Sequence, residues 1–363
     1  MTLPPSVPLP RVPLEDAGGP ATPGAPSDRG SAVLVTGSGG PAGIAVIRRL
    51  VALGIRVVAA DADGTAAGGA LAQLSVTVPR ADHPRFADAL LGAAAAYGVD
   101  ALISTVAEEL PALTASVDRF TAAGVATWLP DVTAVDLCCD KAAFAARMSR
   151  AGVPHPATAT ATAGVHGLPG PWIVKPRDGR GSRGLQFLDN RHAVLAALAD
   201  DPVLIAQTRL TGREFTADAL VDRDGTLLTV VPRWREETKA GISVKGSTFE
   251  SETVTGLVAD ALAAVGLVGP ANVQGFVADD GTVTVMEINP RFSGGLPLTL
   301  AAGADVVGTY LAGIRDPEAQ LPMLHFVPGV RMSRYFAETY TGADGLPVAD
   351  PCVPALATAA VTA

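Results

Sequence analysis

The sequence predicts an α/β protein, with a doubly wound parallel sheet early in the chain and an α+β region of strands and hairpins after it. Three observations predict this. Ala32–Val35 is a short apolar strand that runs into the glycine-rich turn TGSGGPAG and then into a helical pattern over Ile44–Leu53. Strand and helix patterns go on alternating through Ala101–Ser104, as parallel strands joined by crossover helices do. After Asp140 the pattern becomes strands separated by short turns, ending in a hairpin over Asn272–Asn289.

In the first unit, Ile55–Ala60 is the second strand and ends at Asp61. Gly37, Gly39 and Gly43, with Asp61, can be read as a dinucleotide fingerprint with its ribose-binding acid. They can also be read as a tight strand-to-helix turn of a Rossmann-like sheet that binds nothing. The spacing G-x-G-x-x-x-G is a weak match, and no lysine accompanies Tyr97 to form a catalytic pair, so the second reading is preferred. In the second unit a helix over 140–151 ends at Gly152. Pro171–Pro176 is a strand, Arg177–Gly184 a glycine-rich loop and Leu185–Leu188 the returning strand. Val203–Ile205 and Glu214–Val221 are further strands, and Val254–Val265 is a helix of apolar period. Residues 1–30, rich in Pro, Gly and Ala, are expected to be a disordered leader, and 341–363 a tail.

Composition narrows the function. A chain of 363 residues suffices for two or three domain-sized units. No apolar run approaches the ~20 residues of a membrane span, and no basic start followed by an apolar block marks a secretory signal. The formal net charge of −9 disfavours nucleic-acid binding through a general basic surface. Cys138, Cys139 and Cys352 lack metal-ligand spacing, which fits small packing residues in a reducing cytoplasm. Of 27 lysines and arginines only Lys141, Lys175, Lys239 and Lys245 are lysine. A sequence that prefers arginine this strongly is expected to keep lysine where a compact ammonium is needed, as at phosphate.

The hairpin carries the sharpest chemistry. Asp280–Gly281 has the composition of a two-residue type I′ turn, which sets Gln274 opposite Glu287 and Asn272 opposite Asn289. Simple alternation then puts Val283, Val285, Glu287 and Asn289 on one face, against Thr284, Met286 and Ile288 on the other. Such an oxygen cluster suits magnesium, which takes one or two carboxylates together with phosphate and water; Arg291 would then face a transferred phosphate. A solvated hairpin end is the equal alternative. The loop RDGRGSRG offers glycines at 179, 181 and 184 and the Ser182 hydroxyl to phosphate oxygens, yet it lacks the P-loop pattern and can equally be an ordinary loop. Lys175 lies in an apolar strand, and Lys141 opens a helix where a cation opposes the dipole. A phosphate would explain both placements.

In order along the chain stand EEL at 108–110, DKAAF at 140–144, GVPHP at 152–156 and IVKPRDGRGSRG at 173–184. GREFTADAL at 212–220, NVQGF at 272–276 and MEINPRFSGG at 286–295 follow. The series resembles the ATP-grasp superfamily, especially its carbamoyl-phosphate-synthase-like branch, from Ser31 to about Ile314. The resemblance implies a Rossmann-like pre-ATP-grasp domain over 31–128 and a two-subdomain α+β ATP-grasp fold. Its small subdomain would be 129–206, with the glycine-rich lid loop, and its large subdomain 207–340, with the magnesium site. It implies that Lys141, Lys175, Gly181, Ser182 and Gly184 contact ATP phosphates, that Gln207 and Leu210 form the adenine hinge, and that Glu214 holds the ribose. Gln274, Glu287 and Asn289 would bind magnesium, or manganese in its place, while Arg291 and Lys245 would be catalytic. Gln207 stands where many members have glutamate.

Enzymes of this kind join a small-molecule carboxylate to an amine through an acylphosphate, and positioning and charge neutralisation do most of the work. An amide-forming ligase acting on amino acids or a small or secondary metabolite is therefore expected, cytoplasmic, with a homodimer as the default state. A nucleotide-binding regulatory protein without turnover and an NAD(P)-dependent oxidoreductase built on Gly37–Asp61 are the alternatives. His155, His166 and His192 are assigned no role. Val231–Thr248, with Arg233, Arg235, Lys239, Lys245 and Trp234, is read either as a binder of phosphate or substrate carboxylate or as a solvated charged loop.

Overall fold

The computed structural model describes residues 31–179, 184–239, 241–342 and 347–348. The expected leader, and Gly181 and Ser182 of the glycine-rich loop, lie outside the described residues. From Ser31 to Arg334 the chain forms one compact unit.

Four short apolar strands, β1 (Ala32–Thr36), β2 (Arg56–Asp61), β3 (Leu74–Thr77) and β4 (Val99–Ile103), make a parallel sheet in the order β3–β2–β1–β4. Helix α1 (Pro41–Ala52) starts with Pro at a first-turn position and buries Ala42, Ala45, Val46, Ile47 and Leu50. Gly37 has φ +63°, and a Cβ on Gly43 would lie 2.2 Å from the Gly37 carbonyl oxygen. Glycine at both positions is what lets α1 sit this close to the turn. The Asp61 carboxylate accepts from the Gly39 N–H at 2.8 Å and from the Asp63 N–H at 3.0 Å. It is used in building the turn, in line with the preferred reading.

A second four-stranded sheet contains β5 (Thr158–Ala159), β6 (Trp172–Pro176), β7 (Gln186–Leu188) and β8 (Leu204–Thr208), all antiparallel in the order β5–β8–β6–β7. The third and largest sheet runs β13–β12–β9–β10–β11–β14. Its strands are β9 (Arg213–Val221), β10 (Leu227–Lys239), β11 (Ile242–Thr248), β12 (Gly269–Val277), β13 (Val283–Asn289) and β14 (Arg331–Ser333). The helix Glu252–Val265, capped by Ser251 and ended by Gly266 at φ +69°, covers one face of it. Phe215, Ala217, Ala271 and Val273 point to that helix, which leaves Glu214, Thr216, Asp218, Asn272 and Gln274 on the other face. Beyond Arg334, in a separate unit, β15 (Tyr340–Thr341) pairs antiparallel with β16 (Pro347–Val348).

Two expectations change here. Most of Val231–Thr248 is a strand pair, not a solvated loop: β10 and β11 join Arg233 to Thr248 and Trp234 to Ser247. Charges on both sides of the strand hide the period of two, yet it is present, because Arg233 and Arg235 take one face while Trp234 stacks on Phe249 from the other. The β12–β13 hairpin also turns differently. Ala278 N–H donates to Thr282 O and Gly281 N–H to Ala278 O, both at 2.9 Å, so the loop has three residues and ends in Gly281 at φ +86°. Next to it Val277 pairs with Val283 and Gly275 with Val285, one residue off the expected register. A bulge at Met286 restores it, and Gln274 pairs with Glu287 and Asn272 with Asn289 after all.

The pairing survives, but the faces do not. Because the bulge adds one residue, Val283, Val285 and Ile288 all enter the core beneath the helix. Glu287 and Asn289 are turned to the opposite face, not the face of Val283 and Val285 as simple alternation had it. Ile288→Ala is therefore expected to cost about 2–5 kcal/mol, the range for a buried Ile, and Met286→Ala clearly less, as read from urea denaturation midpoints. Equal costs would contradict the bulged register.

Candidate functional site

Two sheets meet around Glu287. Its carboxylate Oε1 lies 3.1 Å from Asn289 Nδ2, and Arg291 Nη2 donates to Asn289 Oδ1 at 3.3 Å. Arg291 also donates to the Phe292 carbonyl at 2.9 Å. Across the hairpin, Gln274 Oε1 accepts from Arg235 at 3.3 Å. Arg235 forms an ion pair with Glu214 on β9, whose pKa is raised by burial and by Glu287, against the pull of Arg235. From the small sheet, Lys175 on β6 reaches the same region. It is only 8% exposed, and burial pushes its pKa down to about 8, opposed by the attraction of Glu287 and helped by repulsion from Lys141.

Lys141 sits at the start of the helix Lys141–Ala151, which Asp140 caps through the Ala142 and Ala143 amides. Asp140 also forks onto Arg177. Lys141 Nζ donates to the carbonyls of Gly179 at 2.9 Å and Arg177 at 3.4 Å. Its partners are thus backbone oxygens at the stem of the glycine-rich loop, where the sequence suggested an anion. Gly184, at the other stem, has φ +69°. Gln207 is buried on β8 and donates through its amide to Thr158 Oγ1 at 2.8 Å. Gln207 and Leu210 stand where the chain crosses from the small sheet to the large one.

Lys141, Lys175, Glu214, Gln274, Glu287, Asn289 and Arg291 are therefore brought together. Lys245 is not. It is mostly exposed, pairs with Glu237 at 2.8 Å and is absent from the cavity lining, because neighbouring Gly246, not Lys245, pairs with Arg235. The structure therefore sets Lys245 apart from the other candidates.

Sequence reading passed over a buried network beside the hairpin. Asp218 accepts from Arg233 at 2.6 Å, Asn272 at 3.0 Å and Thr299 at 2.5 Å. Ser293 adds a bond to Arg233 at 3.0 Å. The available signal was an acid inside the apolar run FTADALV. Also missed was the cavity above this network, of about 240 Å³, whose far wall is the glycine turn at Gly37, Gly40 and Pro41 with Thr105 and Val106. Glu109, of the EEL motif, is buried under that turn. It accepts from Thr36 and Ser104, and burial pushes its pKa up to about 7 against those two bonds.

Among the described residues no three His, Cys, Asp or Glu side chains cluster to hold a metal by themselves. One carboxylate, Glu287, with the amide oxygens of Gln274 and Asn289, fits an ion that completes its shell with phosphate and water, as magnesium does. No helix among the described residues is long and apolar enough to cross a membrane.

A parallel sheet is followed by two antiparallel sheets that meet across lysines and a Glu–Asn pair, and comparison with known proteins gives this arrangement relatives. A family described as "ATP-grasp in the biosynthetic pathway with Ter operon" matches residues 200–334, and the "PylC-like, N-terminal domain" matches 33–128. The carbamoyl phosphate synthase large chain of Corynebacterium glutamicum is 28% identical over 237 residues, covering 56% of this chain. The chain spans only 21% of that relative. Biotin carboxylase of Campylobacter jejuni, solved as a β,γ-ATP complex, superposes with a TM-score of 0.65 at 16% identity, over 81% of this chain and 73% of its own. The L-amino acid ligase of Bacillus licheniformis gives 0.60 at 17% identity, over 80% and 75%. Residues 200–334 thus match an ATP-grasp family, and the fold is shared with these solved enzymes.

Lys175 makes a pH test of this geometry. Its ordinary pKa of 10.5 applies unfolded and about 8 applies folded, so between those values the unfolded chain binds more protons and stability rises with pH. Below that window burial of the charged amine is a constant cost. Lys175→Met is expected to be more stable than wild type at pH 7 without nucleotide, with the gap narrowing from pH 8 to 10, as measured by urea midpoints. A pH-independent gap would mean that Lys175 is not buried as a cation.

Proposed function

We propose that the protein is an ATP-dependent carboxylate–amine ligase that works through an acylphosphate. The observation that carries this reading is the meeting of buried Lys175 with the Glu287–Asn289 pair across two sheets. Lys141 and Lys175 would contact the ATP phosphates, the backbone between Gln207 and Leu210 would meet adenine, and Glu214 would hold the ribose hydroxyls with the oxygen that Arg235 leaves available. Gln274, Glu287 and Asn289 would hold magnesium, which supplies charge neutralisation at the phosphates.

A substrate carboxylate oxygen attacks the γ-phosphorus and ADP leaves. An amine then attacks the acyl carbon, phosphate departs and the nitrogen gives up a proton, leaving an amide. Arg291, beside Asn289, stabilises charge on the phosphoryl group in flight. The side chains position and neutralise, which suits a site without a nucleophile–base pair. The superfamily likeness supports ATP use; an amino acid or a small metabolite as the carboxylate is our choice of substrate class, and a cavity of about 240 Å³ fits it.

The test is ADP release with magnesium over a panel of carboxylates and amines, with hydroxylamine as the acylphosphate trap. Wild type is expected to form hydroxamate with at least one acid and to stop when magnesium is chelated. Glu287→Gln and Arg291→Met are each expected to lower kcat about a hundredfold or more, the scale for removing one charge-stabilising group. Lys245→Met should leave kcat within about twofold, since Lys245 lies outside the cavity. Absence of both ADP and hydroxamate across the panel would remove the ligase reading.

A further inference from the structure

One guanidinium joins two ends of the site. Arg235 on β10 has a side chain only 10% exposed, and its Nη1 donates to Glu214 on β9 and, at 3.3 Å, to Gln274 Oε1 on β12. Its Nη2 donates in another direction, to the Gly241 carbonyl at 2.9 Å. Gly241, Ile242 and Ser243, where β11 begins, form a wall of the cavity. A Cβ on Gly294 would stand 3.5 Å from Pro41 and 3.9 Å from Ile242, so this wall comes close to the start of α1.

The ladder beneath this wall is irregular. β10 and β11 shift register on both sides of Glu237, between the pair of Arg235 with Gly246 and the pair of Thr238 with Ser243. The ion pair of Glu237 with Lys245 is exposed on both sides and contributes little. Ser243 directs its hydroxyl to the Lys245 carbonyl of its own strand at 3.0 Å. The Arg235 fork is different in kind, because it ties the wall to two other strands. A guanidinium is flat and rigid, so Nη1 and Nη2 cannot move apart. Where Glu214 and Gln274 hold Nη1, the Gly241 carbonyl is held through Nη2.

We propose that Arg235 is a positioning residue that couples the Glu214–Gln274 end of the site to the cavity wall at Gly241–Ser243, so that loading the first orders the second. That a nucleotide and a metal ion do the loading rests on the ligase reading; the fork does not. On that reading the wall is set for the reacting acid and amine once Glu214 and Gln274 have their ligands. By linkage, a ligand in the cavity tightens the nucleotide in return.

Arg235→Lys tests it. Lysine keeps a charge for Glu214 but has one ammonium in place of the fork, so the variant is expected to fold with a urea midpoint near that of wild type while losing the tie to Gly241. Hydrogen exchange of the Ile242–Val244 amides is read by mass spectrometry, with the helix Glu252–Val265 as internal reference. Without nucleotide, those amides are expected to exchange about tenfold faster in Arg235→Lys, with the reference unchanged. With Mg–AMPPNP they are expected to slow about fivefold or more in wild type and not in the variant. Glu214→Gln approaches from the other end, since no bond joins Glu214 to Gly241–Ser243 among the described residues. Faster exchange at Ile242–Val244 is expected there too, where a purely local tie predicts none. Equal exchange in wild type and Arg235→Lys, wild-type rates in Glu214→Gln, or an equal nucleotide effect in wild type and Arg235→Lys each overturn the proposal. Should Arg235→Lys lower the urea midpoint or quicken the reference helix, Glu214→Gln decides alone. Mg–AMPPNP binding is measured by calorimetry on the same samples: its absence in wild type would remove the ligase reading, and the nucleotide-free comparison would still decide the fork.

Discussion

The site depends on how the Asp218 carboxylate is satisfied. A buried carboxylate is tolerated only when paired and hydrogen-bonded, and Asp218 receives Arg233, Asn272 and Thr299 at once. These come from β10, from β12 and from the segment after β13, so one anion fixes three parts of the cavity floor relative to each other. Removing Asp218 would leave Arg233 charged and buried without a carboxylate. The arginine cannot be released either, because Gly295 packs against its guanidinium. The cavity face is thus held by a polar lattice, while the other face of the sheet is held by apolar packing under the helix Glu252–Val265.

Against that rigid floor, the end of the site around Glu287 is built from groups in unfavourable states. Lys175 is a buried cation, Glu214 an acid raised by burial, and Glu287 lies close enough to affect both. On the proposed function, each would gain from a polyphosphate and a divalent ion between them, which would offset the cost of burying these charges. The parallel sheet contributes differently. Its glycine turn and the buried Glu109 beneath it form a wall, clamped to the rest by packing of α1 and by the fork of Arg49 on Asp305.

The parts legible in the sequence were those where one physical rule acts alone. Apolar strands and a glycine turn disclose the parallel sheet, because Gly37 and Gly43 are required by contacts a few residues away. β10 and β11 were hidden, because Arg233, Arg235 and Lys245 look alike in composition and differ only in which face they take. Lys245 was misjudged for that reason: scarcity of lysine says nothing about direction. Asp218 was passed over because its partners come from far along the chain. The pairing of Gln274 with Glu287 was obtained from a turn that does not form, rescued by a bulge that periodicity cannot reveal.

That pair of irregularities sets how the hairpin tip relates to the chemistry. Counted from an Asp280–Gly281 turn, the three-residue loop and the Met286 bulge each shift the register by one, and the two shifts cancel, bringing Glu287 opposite Gln274 with its carboxylate toward Lys175. The register of Glu287 is therefore counted from the Ala278–Thr282 pair and not from the residues of the turn. With one loop residue fewer, Ala278 could still stand opposite Thr282, and Gln274 would keep Glu287 as its partner, so the tip can change length without reaching the site.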